Sequence, residues 1–196
     1  MTTTDIKAAG ETEERLKRVG ALLEGHFQLT SGLHSNRYVQ CAKLLSLPQE
    51  AEAVSRALAD RFSNVKVDIV LGPALGGVIV AHEVARALGT PCLFTERKEG
   101  EMQLRRGFEI PKGSQVLVVE DVVTTGGSVK EVLQLVRDAG GEIVGVGSIV
   151  QRAASSPFDV RYEALLALQV TAWDPSECPL CAEGSAPVTP GSRPGS

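Results

Sequence analysis

Cations are not in surplus in this chain. Its 20 lysines and arginines stand against 24 aspartates and glutamates, a formal net charge of −4 over 196 residues. Binding to nucleic acid is therefore not expected, because it relies on neutralising many phosphates. Any phosphate recognition must come from local dipoles and a few placed cations. No apolar run approaches the ~20 residues needed to cross a bilayer, so no membrane span is expected. Residues 1–7 lack a basic stretch followed by an apolar segment, which argues against a secretory leader and for a cytoplasmic protein. Internal repeats are absent. Cysteine is sparse, and Cys41 and Cys92 lie in apolar or strand-like surroundings, where a buried free thiol is the ordinary expectation. Cys178 and Cys181 form a Cys-x-x-Cys turn, which can supply half of a tetrahedral zinc site or a redox pair. A whole site needs two more ligands, and no second such pair exists. The pair reads first as a turn in the tail, with zinc completed across a subunit interface as the alternative. His26 and His82 read as structural or surface residues, and His34 as a neighbour of a site.

What is present fits one compact soluble domain. Apolar residues make 43% and charged residues 22% of the chain, enough for a sizeable core at this length. The spacing predicts an amphipathic helix over 11–24, ended by Gly25. From His26 to Leu47 a loose alternation with Ser-Gly and Ser-Asn turns suggests short antiparallel strands in a small subdomain. Pro48 opens a helix running to about Phe62. Strands follow at 67–71, 92–95, 115–120 and 143–150, with helices at 76–88 and 126–139 between them. This βαβα rhythm implies a mostly parallel sheet covered by helices on both faces. From Asp174 onward Pro, Gly and Ser dominate, and residues 184–196 are expected to be disordered.

Residues 116–128 carry the chemistry. Val116, Leu117, Val118 and Val119 read as a buried strand, with Glu120 and Asp121 at its carboxyl end. Thr124, Thr125, Gly126, Gly127 and Ser128 then open a helix. Ligands in open α/β sheets sit just outside the carboxyl ends of strands. Such a loop offers hydroxyls, unpaired amides and a positive helix end to a phosphate, while the two acids can accept hydrogen bonds from neighbouring sugar hydroxyls. A sugar phosphate is the implied ligand.

These residues resemble, position by position, the phosphoribosyl-pyrophosphate (PRPP) motif of the type I phosphoribosyltransferases. The resemblance implies that family's α/β fold: a mostly parallel central sheet flanked by helices, with a small N-terminal hood. Hood and core would cover about 1–47 and 48–175 of a single domain, leaving 176–196 as a flexible tail. It also implies that Glu120 and Asp121 hold the ribose hydroxyls and that residues 124–128 wrap the 5′-phosphate. The turn from Leu71 to Gly77 resembles the family's pyrophosphate loop, which assigns Ala74, Leu75 and Gly76 to the leaving group.

Two further segments resemble the orotate branch of that family. Residues 95–111 are polar and lack either secondary-structure period. They resemble the branch's mobile catalytic loop, which opens with Arg-Lys after a strand and reaches into the partner subunit's site. Arg97 and Lys98 match that opening, and Arg105 or Arg106 stands in for its later cations as a pyrophosphate clamp. Residues 28–39 resemble the branch's base-binding segment, with Thr30 where a lysine is common and Tyr38 on the aromatic strand. Arg152 ends the last core strand, where the branch binds the orotate ring and carboxylate, and a planar guanidinium suits a carboxylated pyrimidine. Thr124 would serve both substrates. The resemblance implies transfer of phosphoribose to orotate with Mg²⁺, by a homodimer whose catalytic loop is donated in trans. Lys98, Arg97 and Asp121 would then be catalytic. The rival readings are a phosphoribosyltransferase for a purine or other base, and a non-catalytic PRPP sensor.

Overall fold

The computed structural model describes residues 3–29 and 31–190. Helix α1 (Thr3–Arg18) ends at Gly20, whose φ of +67° turns the amides of Gly20 and Ala21 back to the carbonyls of Lys17 and Leu16. The helix expected over 11–24 is corrected accordingly. Leu22 and Leu23, which looked like its last apolar positions, instead open strand β1 (Leu22–Gln28) because glycine lets the chain reverse first. Strand β2 (His34–Val39) pairs antiparallel with β1, and a bulge interrupts the register between Glu24 and Phe27. Two helices follow, α2 (Cys41–Leu45) and α3 (Pro48–Asp60), the second opened by its proline.

The core then alternates as expected through β3 (Ile69–Pro73), α4 (Gly76–Leu88), β4 (Cys92–Lys98) and a short β5 (Glu101–Leu104). After them come β6 (Gln115–Val123), α5 (Gly127–Asp138), β7 (Glu142–Gln151) and β8 (Tyr162–Ala167). Six strands form one sheet in the order β5-β4-β3-β6-β7-β8, parallel throughout except for β5. Strand β8 gives no periodic signal, since its Ala and Leu residues suit helices equally well. Pairing with β7 decides its state. A last short strand, β9 (Ala172–Trp173), returns to β2, so the hood sheet takes a strand from the far end of the chain.

Each face of the main sheet holds its own apolar cluster. Leu117 and Val119 point with α3 and α4 to one side, whereas Val116 and Val118 point with α5 to the other. All four are fully buried. Burying each stabilises the fold by roughly 1.5–3 kcal/mol, enough to anchor a strand that ends in adjacent acids. Leu16 and Leu22 of the hood share the first cluster with core residues such as Leu165.

Residues 176–190, expected within a flexible tail, are corrected by the structure. A 3₁₀ turn (Pro175–Glu177) and helix α6 (Pro179–Ala182) lead into a return along β1, where the Val188 amide donates to the His26 carbonyl at 2.8 Å. Composition suggested disorder there, but backbone pairing with the hood overrides it. Among the described residues no helix is long and apolar enough to cross a membrane.

Candidate active site

Strand β6 runs three residues further than expected, because its pairing with β7 continues to Val123 opposite Gln151. Glu120 and Asp121 therefore lie inside the strand's last turns of pleat, held by the ladder. The Asp121 amide donates to Glu120 Oε1 at 3.0 Å and the Val122 amide to Asp121 Oδ1 at 2.7 Å. Burial, followed by the neighbouring Asp121 charge, pushes the Glu120 carboxyl up to about 9. Beyond the strand, Gly126 takes φ +75° and caps α5. A Cβ at Gly126 would lie 2.7 Å from the Phe158 ring, so only glycine closes this loop as it stands. The residues 124–128 line a cavity of about 350 Å³ together with Glu120 and Arg97. The first amides of α5 have no intrahelical partner and present the positive end of its dipole to that space.

The glycine turn after β3 packs directly on the acids. A Cβ on Gly76 would sit 2.6 Å from Asp121 Oδ1, and one on Gly77 would sit 3.2 Å from Glu120 Oε1. The Ala74–Leu75 peptide is cis, the Ala74 amide donates to the Thr95 carbonyl at 2.8 Å, and Leu75 stands out into solvent. Gly76 begins α4, so a second helix N-terminus meets the acid pair. Gly76 thus abuts Asp121, with Ala74 and Leu75 preceding it in the turn.

The segment expected as an irregular loop over 95–111 is corrected in its first half. It forms the β4–β5 hairpin, with Lys98 opposite Glu101 and both turn residues, Glu99 and Gly100, at positive φ. That geometry matches the twist of paired strands. Arg97 donates to Glu131 Oε1 at 2.5 Å and to the Gly100 carbonyl at 2.6 Å, which fixes it at the rim of the phosphate cavity. Arg106 makes a two-pronged contact with Glu96, 2.8 Å on each arm, and lies over the Phe94 ring. That pairing holds the Glu96 carboxyl below its usual range. Lys98 and Arg105 are exposed, and neither is among the residues lining the phosphate cavity.

A second cavity, of about 260 Å³, opens between hood and core. Tyr38, Arg152, Gln28 and Leu29 line it, and Val122 lines both cavities, so the two meet at the end of β6. The Arg152 amide donates to the Val123 carbonyl at 2.8 Å, while its buried Nε finds no acceptor among the described residues. Burial pulls the Arg152 guanidinium below its ordinary range. A half-buried cation with an idle donor is set up to receive an anion. Thr124, expected at both substrates, lines the phosphate cavity and not this one. Thr30 lies outside the described residues.

A profile of the phosphoribosyl transferase domain matches residues 40–176. The orotate phosphoribosyltransferase of Caldanaerobacter subterraneus is 52% identical over 92% of this chain and 95% of its own length. The chain belongs to the orotate phosphoribosyltransferase family. A second family member, from Desulforamulus reducens, is 54% identical over 90% of this chain and 93% of its own length. Among solved structures, the Mycobacterium tuberculosis orotate phosphoribosyltransferase in complex with PRPP superposes with a TM-score of 0.63. It is 26% identical, covering 81% of this chain and 95% of that one.

Sequence reading missed several residues that shape this family member's site. Glu131, one helical turn into α5, anchors Arg97, and its only signal is its place on the α5 face beside the phosphate loop. Thr189 and Pro190 wall the second cavity, though nothing local marks a tail residue as part of a site. His26 and His34, expected as a structural or surface residue and a site neighbour, both sit against Cys178 and Cys181. His82 is exposed on α4, as expected.

Proposed function

We propose that the chain transfers phosphoribose from PRPP to orotate, giving orotidine 5′-monophosphate and pyrophosphate, a step of pyrimidine nucleotide synthesis. The observation that carries the reading is the junction at Val122. On one side lies a cavity of helix amides and hydroxyls beside two acids, on the other an arginine whose buried Nε is idle. Phosphoribose fills the first, with its 5′-phosphate on residues 124–128 and its ribose hydroxyls on Glu120 and Asp121. Orotate fills the second, its carboxylate on Arg152 and its ring beside Tyr38. The C1–O bond to pyrophosphate breaks as the bond from C1 to the orotate ring nitrogen forms, and the proton that nitrogen carried passes to solvent or to the released pyrophosphate. Positive charge at C1 peaks between the acids, and negative charge on the leaving oxygen peaks at the 74–76 turn and the α4 N-terminus. Such placed dipoles need no reorganisation at the moment of reaction.

Asp121 would hold Mg²⁺ beside the leaving group, where the ion would supply neutralising positive charge. The residues fit it, because Asp121 places hard carboxylate oxygens against the Gly76 turn, and this ion favours a few carboxylates plus phosphate. Free thiols at Cys41, Cys92, Cys178 and Cys181 suit a reducing, cytoplasmic setting. Orotate consumption, followed by absorbance, should require both PRPP and Mg²⁺. Adenine, hypoxanthine and uracil should remain unreacted. Reaction of one of those bases in place of orotate would leave the phosphoribosyl site standing and remove Arg152 as the base's anchor.

The active unit is a homodimer in which the hairpin and following loop serve the neighbouring site. Supporting this, only Arg97 among the segment's cations lines its own chain's phosphate cavity. Mixing inactive Lys98→Ala with inactive Asp121→Asn protein should restore about a quarter of wild-type activity, because half the dimers then hold one intact composite site. No recovery after subunit exchange would place the loop in cis.

A further inference from the structure

Four metal-type donors converge where the tail meets the hood. In the hairpin His26 sits in the bulge of β1 and His34 opens β2, and their rings meet edge-on with centroids 4.9 Å apart. Across from them, Cys178 caps helix α6 and Cys181 follows three residues later, which turns both sulfurs to the same side. His26 Nε2 is 3.0 Å from His34 Nδ1 and 3.5 Å from Cys178 Sγ. Cys181 Sγ lies 3.3 Å from His34 Nδ1 and 3.8 Å from His26 Nε2. All four donor atoms fall within 4.8 Å of one another.

We propose that His26, His34, Cys178 and Cys181 bind one zinc ion as a closed structural site. With Zn–N near 2.05 Å and Zn–S near 2.3 Å, the edges of a tetrahedron are about 3.3 Å for N–N, 3.5 Å for N–S and 3.8 Å for S–S. The N–N separation of 3.0 Å and the N–S separations of 3.3, 3.5 and 3.8 Å lie within about 0.3 Å of those lengths, and the remaining two pairs lie within 4.8 Å. Two thiolates with two imidazoles and no carboxylate select a borderline-soft tetrahedral ion over magnesium or calcium. All four positions belong to protein, so no place is left for a reacting water. His26, His34 and Cys178 are at least nine-tenths buried, and the buried Nδ1 of His26 has no hydrogen-bond partner among the described residues.

The site has a structural consequence. It joins residues 26 and 34 to residues 178 and 181, and the chain beyond continues along β1, its Val188 carbonyl accepting from Gln28 at 2.9 Å. The next two residues, Thr189 and Pro190, wall the cavity that holds Arg152. The ion would thus staple the tail in place over that cavity, whichever base occupies it.

The test uses the full chain, expressed without a histidine tag, reconstituted with Zn²⁺ under reducing conditions and freed of loose metal. Mass spectrometry of the metal should find about one zinc per chain, falling below about a tenth in Cys181→Ser and in His34→Ala. Cobalt in the unmutated chain should give strong visible bands of a tetrahedral ion and a thiolate charge-transfer band, which reads the ligands without any substitution. Chelation should lower the melting temperature of the wild type. Zinc below about a tenth per chain, a weak octahedral cobalt spectrum, or full zinc retention in Cys181→Ser would each overturn the proposal. So would a Cys178–Cys181 disulfide that persists after reduction and metal addition.

Discussion

Arg152→Ala is expected to lower kcat/KM for orotate about 10²-fold, with most of the loss in the KM for orotate and little in that for PRPP. The side chain's buried Nε has no acceptor among the described residues, and its cavity is distinct from the phosphate cavity. Truncating one partner of a buried, hydrogen-bonded charge pair costs about 2–5 kcal/mol, and about 10²-fold lies within that span. Arg152→Lys should recover only part of the loss. An ammonium restores the charge but not the planar fork that meets a carboxylate on two arms. Steady-state kinetics varying each substrate in turn will decide it, and an unchanged KM for orotate would remove Arg152 from base binding.

Asp121→Asn is expected to reduce kcat by about 10²- to 10³-fold while leaving the fold at least as stable as the wild type. The functional loss follows from taking a carboxylate away from the cation that develops at C1. The stability gain follows from the crowding of the two acids, whose mutual repulsion adds to burial in raising the Glu120 carboxyl. The pH dependence has a definite sign. Glu120 binds its proton more tightly folded than unfolded, so the folded state holds more protons between the ordinary value of 4.5 and about 9. Stability from this group is complete below that window and is lost as pH rises through it. Substrate-free wild-type protein should therefore lose melting temperature across that range, and Asp121→Asn should flatten the fall without abolishing it, since burial remains. A steeper fall in the variant would mean that Asp121 relieves Glu120 rather than crowding it. Activity against stability is a familiar exchange where a site holds like charges together.

The strand, acids and loop of 116–128 were legible in the chain because their residues are contiguous. Strand, acids, hydroxyl loop and helix lie within residues 116–128, and each residue's neighbours in sequence are also its neighbours in space. The turn at Gly72, Gly76 and Gly77 showed its glycines but not their reason. Only the fold reveals that a Cβ at Gly76 would strike the Asp121 carboxylate from the adjacent strand. The hairpin at 95–104 is hard to see in the sequence because its first arm is polar beyond Thr95 and its second, Glu101–Leu104, alternates over only four residues. Strand β8 escaped because its composition is neutral between helix and strand.

By itself, then, the sequence determined the parallel α/β core, the acid pair, the phosphate loop and the family, all of which rest on short-range patterns of burial and backbone freedom. Tertiary structure alone decided which cations reach the 124–128 cavity, which tail residues wall the cavity at Arg152, and that His26, His34, Cys178 and Cys181 meet. Those four lie on segments separated by the whole core, from residue 34 to residue 178. No local propensity links them. They come together because the hood sheet recruits β9 from the end of the chain and the tail then pairs with β1.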